Sequence, residues 1–585
     1  MEVLKEEGVK EKDFDVKGNI SAFDVSPDNK KLAFISRGEL FVSDIDGKFV
    51  QQIKRGSAER VREVKWTSDN RTLLFNQTFG GYTNWYSISA DGKGTQKQLT
   101  KDTRNNRQLV MSKKRDKGVY LSGRDEIRLI DVKTGESKTL AKQEIWGFQN
   151  SDPGFSPNDE YVIFCVYKNF EREIFVHNLK ENKTVNLTNT DITEADPVWG
   201  PDGKYIYFTS QRLKPAYPFG MPNSKVYRIA LEKLDEPFRT DKFDELFKEE
   251  KKDTAAKKDT AKKTATAAAT PPVKTITIDA EDLMERIERI GPPSGAQSLV
   301  DVLQKGDKTV ILYHSDHEGR YAFWKTTKEP FEQDKTEKVT DGGVFGLVDA
   351  NDKLYALNNA GINKLNLDMN RLDPINISFT FRRNLSAEFG QMFEEAWAQM
   401  EENYYDDKFH GLDWKKTKQY YQQFIPYLNN RADLRILLND MLGELNSSHQ
   451  GFGTFGVDES IALTNTTMET GIIFDEASPY TVRYIAKRSA ADKKGIDVRP
   501  GDVLTKVNGE PVQTGKDRNF YFTRPSMDRE ISLEFTRNGQ PVSVKIHPQS
   551  SLYNNLYDEW IDDNQKRVDE KGKGRIAYGY MKNMG

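Results

Sequence analysis

Four times in the first two-thirds of the chain a short polar turn leads into a run dominated by apolar residues. Ser26-Pro27-Asp28-Asn29 precedes Leu32-Ala33-Phe34, and Thr67-Ser68-Asp69-Asn70 precedes Leu73-Leu74-Phe75. Ser156-Pro157-Asn158-Asp159 precedes Tyr161-Val162-Ile163-Phe164, and Gly200-Pro201-Asp202-Gly203 precedes Tyr205-Ile206-Tyr207-Phe208. Pro, Asp, Asn and Gly close tight hairpins because they accept or preset turn dihedrals, and the apolar runs after them suit strands buried on both faces. A second hairpin signal comes downstream, as in Glu39 to Gly47, Asn84 to Gly92 and Glu126 to Gly135.

The repeat length is about 40 residues, the size of a four-stranded propeller blade. Seven units begin near Ile20, Val61, Gln108, Phe148, Ala195, Ser298 and Gly343. The pattern therefore predicts a seven-bladed β-propeller over residues 1–385. A ring of blades hides its own sheet edges and is a scaffold for many functions, so it assigns none by itself. Between the fifth and sixth units, at about 242–272, charged residues alternate with Ala and Thr up to Pro271-Pro272, the composition of a solvated surface insertion.

From Leu385 the apolar period becomes helical: Phe389, Met392, Phe393, Ala396, Trp397 and Met400 share one face. A second helix is predicted from Asp413-Trp414 toward Tyr427, and a third over Ala432 to Gly443 leads into Asn446-Ser447-Ser448-His449. By local pattern alone, His449 reads as a capping or core histidine at a helix C-terminus, where an imidazolium is electrostatically favoured. Beside two hydroxyls it is also a candidate general base.

The stretch beyond His449 turns the reading toward chemistry. Gly471-Ile472-Ile473-Phe474 has the form of a PDZ carboxylate-binding loop, whose backbone N–H groups cradle a chain terminus while the next strand pairs with an added peptide. Arg499-Pro500-Gly501-Asp502 and the run to Val512 predict a turn, a strand and an Asn508-Gly509 hairpin. Gly574 to Tyr580 then reads as the opening strand of a further domain.

Composition removes several classes of function. Lys+Arg total 87 against Asp+Glu 90, a net charge of -3, so no basic field favours nucleic acid or an anionic membrane. No window approaches the ~20 apolar residues of a membrane span, and Met1 to Glu7 lacks a signal-peptide core. A soluble, cytoplasmic protein is expected, or a periplasmic one if an upstream signal has been lost. The single cysteine, Cys165, sits in an apolar run and reads as a small buried residue. His314 and His317 flank a polar turn between two strands, so a hairpin is expected there, and neither metal nor cofactor enters the reading.

The order of propeller, helical segment ending in Ser448-His449, PDZ domain and opening strand resembles the tricorn protease family. Trp397, Tyr404, Tyr405, Asp413, Trp414, Ser448-His449 and the run Pro500 to Gly509 carry the resemblance. It implies a multidomain, mainly β chain: the propeller, a helical first half of a peptidase core over 386–455, a PDZ domain over 456–550, and the start of a second core half over 551–585. It also implies His449 as general base, Ser448 as the hydroxyl that assists it, with Ser447 as the alternative, and peptide contacts at Gly471, Ile472, Ile473 and Phe474. The nucleophile, oxyanion hole and first propeller of the family find no counterpart in this sequence. The expectation is thus a portion of a serine peptidase acting on peptides or unfolded polypeptide, homo-oligomeric when full length and inactive as this fragment. The alternative is a non-enzymatic propeller-PDZ scaffold that recruits peptides. A site in the propeller channel is a third reading, for which no recurring polar pattern at the blade rims speaks.

Overall fold

The structure is a computed structural model that describes residues 10–55, 59–148, 151–215, 221–233, 247, 275–454, 467–523 and 530–582. The chain divides into two compact units, one ending at Thr454 and one beginning at Phe455.

Seven four-stranded sheets build most of the first unit, each with its strands in chain order. Their first strands are Ile20–Val25, Val61–Trp66, Asn106–Met111, Gly154–Phe155, Glu194–Trp199, Gln297–Lys305 and Phe345–Ala350. All pairings within the blades are antiparallel, so the turn-plus-apolar repeat of the sequence is the blade repeat. Second strands such as Lys31–Ser36 are buried on both faces, which is why they lack polar alternation. Blades stack by sharing cores. Val64, Trp66 and Phe75 of blade 2 pack with Ala33, Ile35 and Leu40 of blade 1.

Carboxylates on inner strands pin blade to blade. Asp24 accepts from the Trp66 backbone N–H at 2.7 Å, and Glu63 accepts from Gln108 and Leu109 at 2.9 Å each. The ring closes where blade 1 meets blade 7: Phe23, Phe34 and Phe41 share a core with Val348, Tyr355 and Leu357, and Ile20 donates to the Ala360 carbonyl at 3.0 Å. A two-stranded ribbon, Glu11–Asp15 with Thr380–Asn384, joins the two ends of the propeller. Cys165 is fully buried in blade 4, and burial pushes its thiol up to about 12, as befits a packing residue. The insertion expected between the fifth and sixth units falls instead within blade 5, because the blade's fourth strand, Ile287–Ile290, comes after it and pairs with the third, Lys225–Ala230; Phe247 aside, residues 242–272 lie outside the described residues.

Among the described residues, three α-helices complete this unit: α1 (Leu385–Asn403), α2 (Trp414–Gln422) and α3 (Arg431–Gly443). Helix α1 crosses the rims of several blades. Gln391 reaches Thr78 at 2.9 Å, Tyr82 reaches Glu401 at 2.8 Å, and the backbone N–H groups of Asn105 and Gly147 reach Glu402 and Asn403 at 2.8 and 2.6 Å. The approach to blade 2 is close enough to need glycine: a Cβ on Gly81 (φ +91°) would stand 2.4 Å from the Glu394 carbonyl oxygen.

In the second unit, Ile472–Phe474 pairs with Val482–Ile485, and a four-stranded sheet runs Glu510–Pro511, Val503–Val507, Ile531–Arg537, Gln540–Ile546. A short helix, α4 (Asn519–Phe522), buries Tyr521 and Phe522 against them. Asn508 and Gly509 both have positive φ (+50° and +80°) and form the expected two-residue hairpin between Val507 and Glu510. One expectation fails. Gly574 to Tyr580 forms no strand; it comes after helix α5 (Tyr553–Gly572), and the Tyr580 ring packs edge-on against Tyr557 and Trp560. A strand needs a partner edge, and among the described residues none is paired with this segment. Its Tyr580 ring packs on the helix instead. Among the described residues no helix is long and apolar enough to cross a membrane.

Candidate active site

The helices that carry the candidate histidine are capped as their sequence dictates. Asn384, Asp413 and Asn430 accept from the backbone N–H groups of Ala387, Lys416 and Asp433, each satisfying one free donor of a first turn. Phe389, Phe393, Trp397, Trp414, Leu434, Leu438, Met441 and Leu445 form one buried cluster. The two tryptophans exchange indole hydrogen bonds: Trp397 donates to the Trp414 carbonyl at 2.9 Å and Trp414 to the Trp397 carbonyl at 3.3 Å.

Helix α3 stops because Asn446 adopts the left-handed conformation (φ +45°), the usual end for a helix that must turn sharply. Ser447, Ser448 and His449 form the turn itself, with His449 again at positive φ (+60°). The returning chain is fastened to α3. The Asn439 side chain accepts from the Phe452 N–H at 2.8 Å and donates to its carbonyl at 2.9 Å, and Arg435 donates to Thr454 at 2.8 Å. Ser448 and His449 are exposed, Ser447 is half-buried, and among the described residues neither Ser448 nor His449 has a side-chain hydrogen bond. His449 is thus neither a cap nor part of the apolar core.

A second histidine, which no sequence motif marks, braces the turn. His410 Nδ1 donates to the Leu445 carbonyl at 3.1 Å, and Nε2 lies 2.5 Å from the Tyr405 hydroxyl. A carbonyl only accepts, so the proton of a neutral ring sits on Nδ1, and Tyr405 donates to Nε2. Desolvation, followed by the neighbouring Tyr404 phenol, raises the Tyr405 phenol above the ordinary range, and the nearby Ser447 hydroxyl opposes the shift. The backbone N–H groups of His410 and Lys408 hold Asp406 below the usual carboxylate range. The chain Tyr405, His410, Leu445 ties the end of α1 to the end of α3, a few residues before Ser448 and His449.

The remaining candidate residues lie in the second unit. Gly471 (φ +90°) abuts Ser489 so closely that a Cβ would stand 1.9 Å from its hydroxyl oxygen. Ile472 and Phe474 are buried in the core of that unit, Ile473 is half-buried, and the Ile472 N–H donates to the Thr470 hydroxyl at 3.3 Å. Ile472–Phe474 is paired on one side only among the described residues.

The propeller channel holds a cavity of about 830 Å³ lined in part by Asp152, Asp196, Asp301 and His314. Burial pushes Asp301 up to about 6 and His314 down to about 4, and the Val344 N–H donates to His314 Nε2 at 3.0 Å. His314 is the penultimate residue of one strand and His317 lies in the hairpin turn after it, with Nδ1 2.9 Å from the Ser315 hydroxyl. Among the described residues no group of three or more His, Cys, Asp or Glu side chains is placed to hold a metal.

Three stretches match known families: residues 385–443 the "Tricorn protease C1 domain", residues 119–237 the "TolB beta propeller domain", and residues 465–547 the "PDZ domain". A tricorn-like protease C-terminal subunit of Sulfurisphaera tokodaii is 24% identical over 95% of this chain and 64% of its own length. The tricorn protease of Thermoplasma acidophilum is 22% identical over 96% of this chain and 53% of its own. A crystal structure of the tricorn protease superposes with a TM-score of 0.58 at 17% identity, over 98% of this chain and 56% of that one. The chain therefore spans about half to two-thirds of the length of these relatives.

Proposed function

Because the chain belongs to the tricorn protease family, we propose that it forms part of a serine peptidase that cleaves oligopeptides or unfolded polypeptide, with His449 as the general base. The observation that carries this reading is the turn after the C1 match. It presents an imidazole and a neighbouring hydroxyl to solvent on a backbone pinned from both sides, and it leaves both side chains without structural partners among the described residues.

A serine hydroxyl is a poor nucleophile until a positioned base takes its proton, and the resulting imidazolium then protonates the leaving amine. His449 fills the base role, and the neighbouring Ser448 hydroxyl, unbonded among the described residues, is available to orient the imidazole once the nucleophile stands beside it. The nucleophile and the donors for the oxyanion are supplied by residues other than these. Each such donor is worth roughly 10²–10³ in rate, so the 585-residue chain alone is inactive in this proposal. In the second unit, the free side of Ile472–Phe474 offers an edge for an added peptide strand beside the Gly471 loop. The same edge supports the alternative of a peptide-recruiting scaffold without catalysis.

The two readings part on inhibition of the native enzyme. Hydrolysis of an unstructured fluorogenic oligopeptide is expected to be abolished by a serine-directed organophosphate and unaffected by a chelator. Loss of activity to the chelator with resistance to the organophosphate contradicts the serine mechanism, and peptide binding without any hydrolysis establishes the scaffold.

A further inference from the structure

The channel cavity of about 830 Å³ is walled by groups that play no part in the turn at Ser448 and His449. Asp196 stands in the first strand of blade 5, Ser298 and Asp301 in that of blade 6, and Phe345 opens that of blade 7. The pairing of each strand is irregular there, between Ala195 and Val198, between Leu299 and Asp301, and between Phe345 and Val348. Bulges of this kind re-aim side chains, and Asp196, at positive φ (+52°), lines the cavity together with Asp301.

The two carboxylates are held loosely. Asp196 accepts from the hydroxyls of Ser151, Thr209 and Ser298 at 3.3 Å each, and the charge of Arg172 favours its ionised form. Asp301 accepts from the Val302 N–H at 2.8 Å, and the neighbouring charge that acts on it is that of another carboxylate, Asp349. Among the described residues no lysine or arginine pairs with Asp301.

His314 adds a donor to the same wall. It is 5% exposed and its Nε2 accepts from the Val344 N–H at 3.0 Å, so the neutral ring carries its proton on Nδ1. That N–H has no partner among the described residues, on a ring that lines the cavity. The His314 ring stacks on Tyr321 at 5.1 Å and leans on Phe345 at 5.5 Å, and these two rings are 52% and 60% exposed.

Open aromatic faces beside carboxylates hold a diffuse organic cation, through the ring quadrupole and through charge-assisted hydrogen bonds. A metal ion needs several converging ligands, and the described residues offer no such group. The volume suits a small molecule or one extended side chain.

We propose that the channel wall of blades 5 to 7 binds an organic cation, an ammonium or guanidinium group. Its charge lies toward Asp196 and Asp301, its apolar body against Tyr321 and Phe345, and an acceptor atom takes the Nδ1–H of His314. Binding is read without hydrolysis, so the outcome is independent of the role of His449. The test is calorimetric titration of the 585-residue chain at about pH 8, where Asp301 is ionised, with agmatine, spermidine and acetyl-arginine amide, against potassium chloride of equal ionic strength. Saturable heat is expected with at least one of the three. Tighter binding of acetyl-arginine amide, whose carbonyls accept from His314, assigns the site to a basic side chain of a peptide; tighter binding of agmatine or spermidine assigns it to a free amine. Asp301→Asn keeps the acceptor for the Val302 N–H and removes a charge that desolvation disfavours, so it is expected to fold with an undiminished thermal midpoint and to bind about tenfold or more weakly. Tyr321→Ala, at an exposed ring, is expected to weaken binding severalfold. The absence of saturable heat with all three ligands overturns the site, as does undiminished affinity in either variant.

Discussion

Single residues decide where the candidate base stands. Asn446 ends α3 at a φ that most side chains resist by about 1 kcal/mol or more. Asn446→Ala is therefore expected to destabilise the first unit by about 1 kcal/mol, while Asn446→Gly stays within a few tenths, measurable by denaturant unfolding. Ser448 and His449 could be singled out in the sequence because helix, turn and hydroxyl neighbours lie in one short stretch. His410 could not. Its role depends on Phe409 and His410 both taking positive φ (+51° and +54°) and on the end of α1 approaching the end of α3, and neither leaves a periodic mark.

At the scale of elements, the blades were readable because turn chemistry and two-sided burial recur at a fixed interval, and the sixth and seventh units obey it as well. Gly574 to Tyr580 shows the limit of such reading: apolar alternation is necessary for a strand, but a partner edge is needed too, and aromatic stacking on α5 takes its place. The blades also carry a pH dependence. Glu194 in blade 5 is completely buried, and desolvation pushes its carboxyl up to about 7, although Arg212 at 2.9 Å opposes the shift. A raised acid binds its proton more tightly folded than unfolded, so stability falls as pH rises from the unfolded value of 4.5 to about 7. The loss is about 3 kcal/mol at most, and Asp301, pushed up to about 6, adds to it with the same sign. Glu194→Gln is expected to flatten the fall between these limits, as measured by denaturant unfolding at pH 5 and pH 8; an unchanged pH profile would show that Arg212 keeps the carboxylate ionised.

Over the whole molecule, architecture and family could be inferred from the order of parts, because blade turns, an amphipathic helical segment and an Asn-Gly hairpin each leave local marks. The electrostatics of the channel could not, because they arise when inner strands and rims converge. One chemical assignment is central, that His449 takes the proton from a serine nucleophile. Its most direct test is kcat/KM of the native enzyme for an unstructured oligopeptide, compared with His449→Ala. A loss of roughly 10³-fold or more with the fold intact is the expected result. A correctly folded His449→Ala enzyme with near-normal turnover would contradict the assignment.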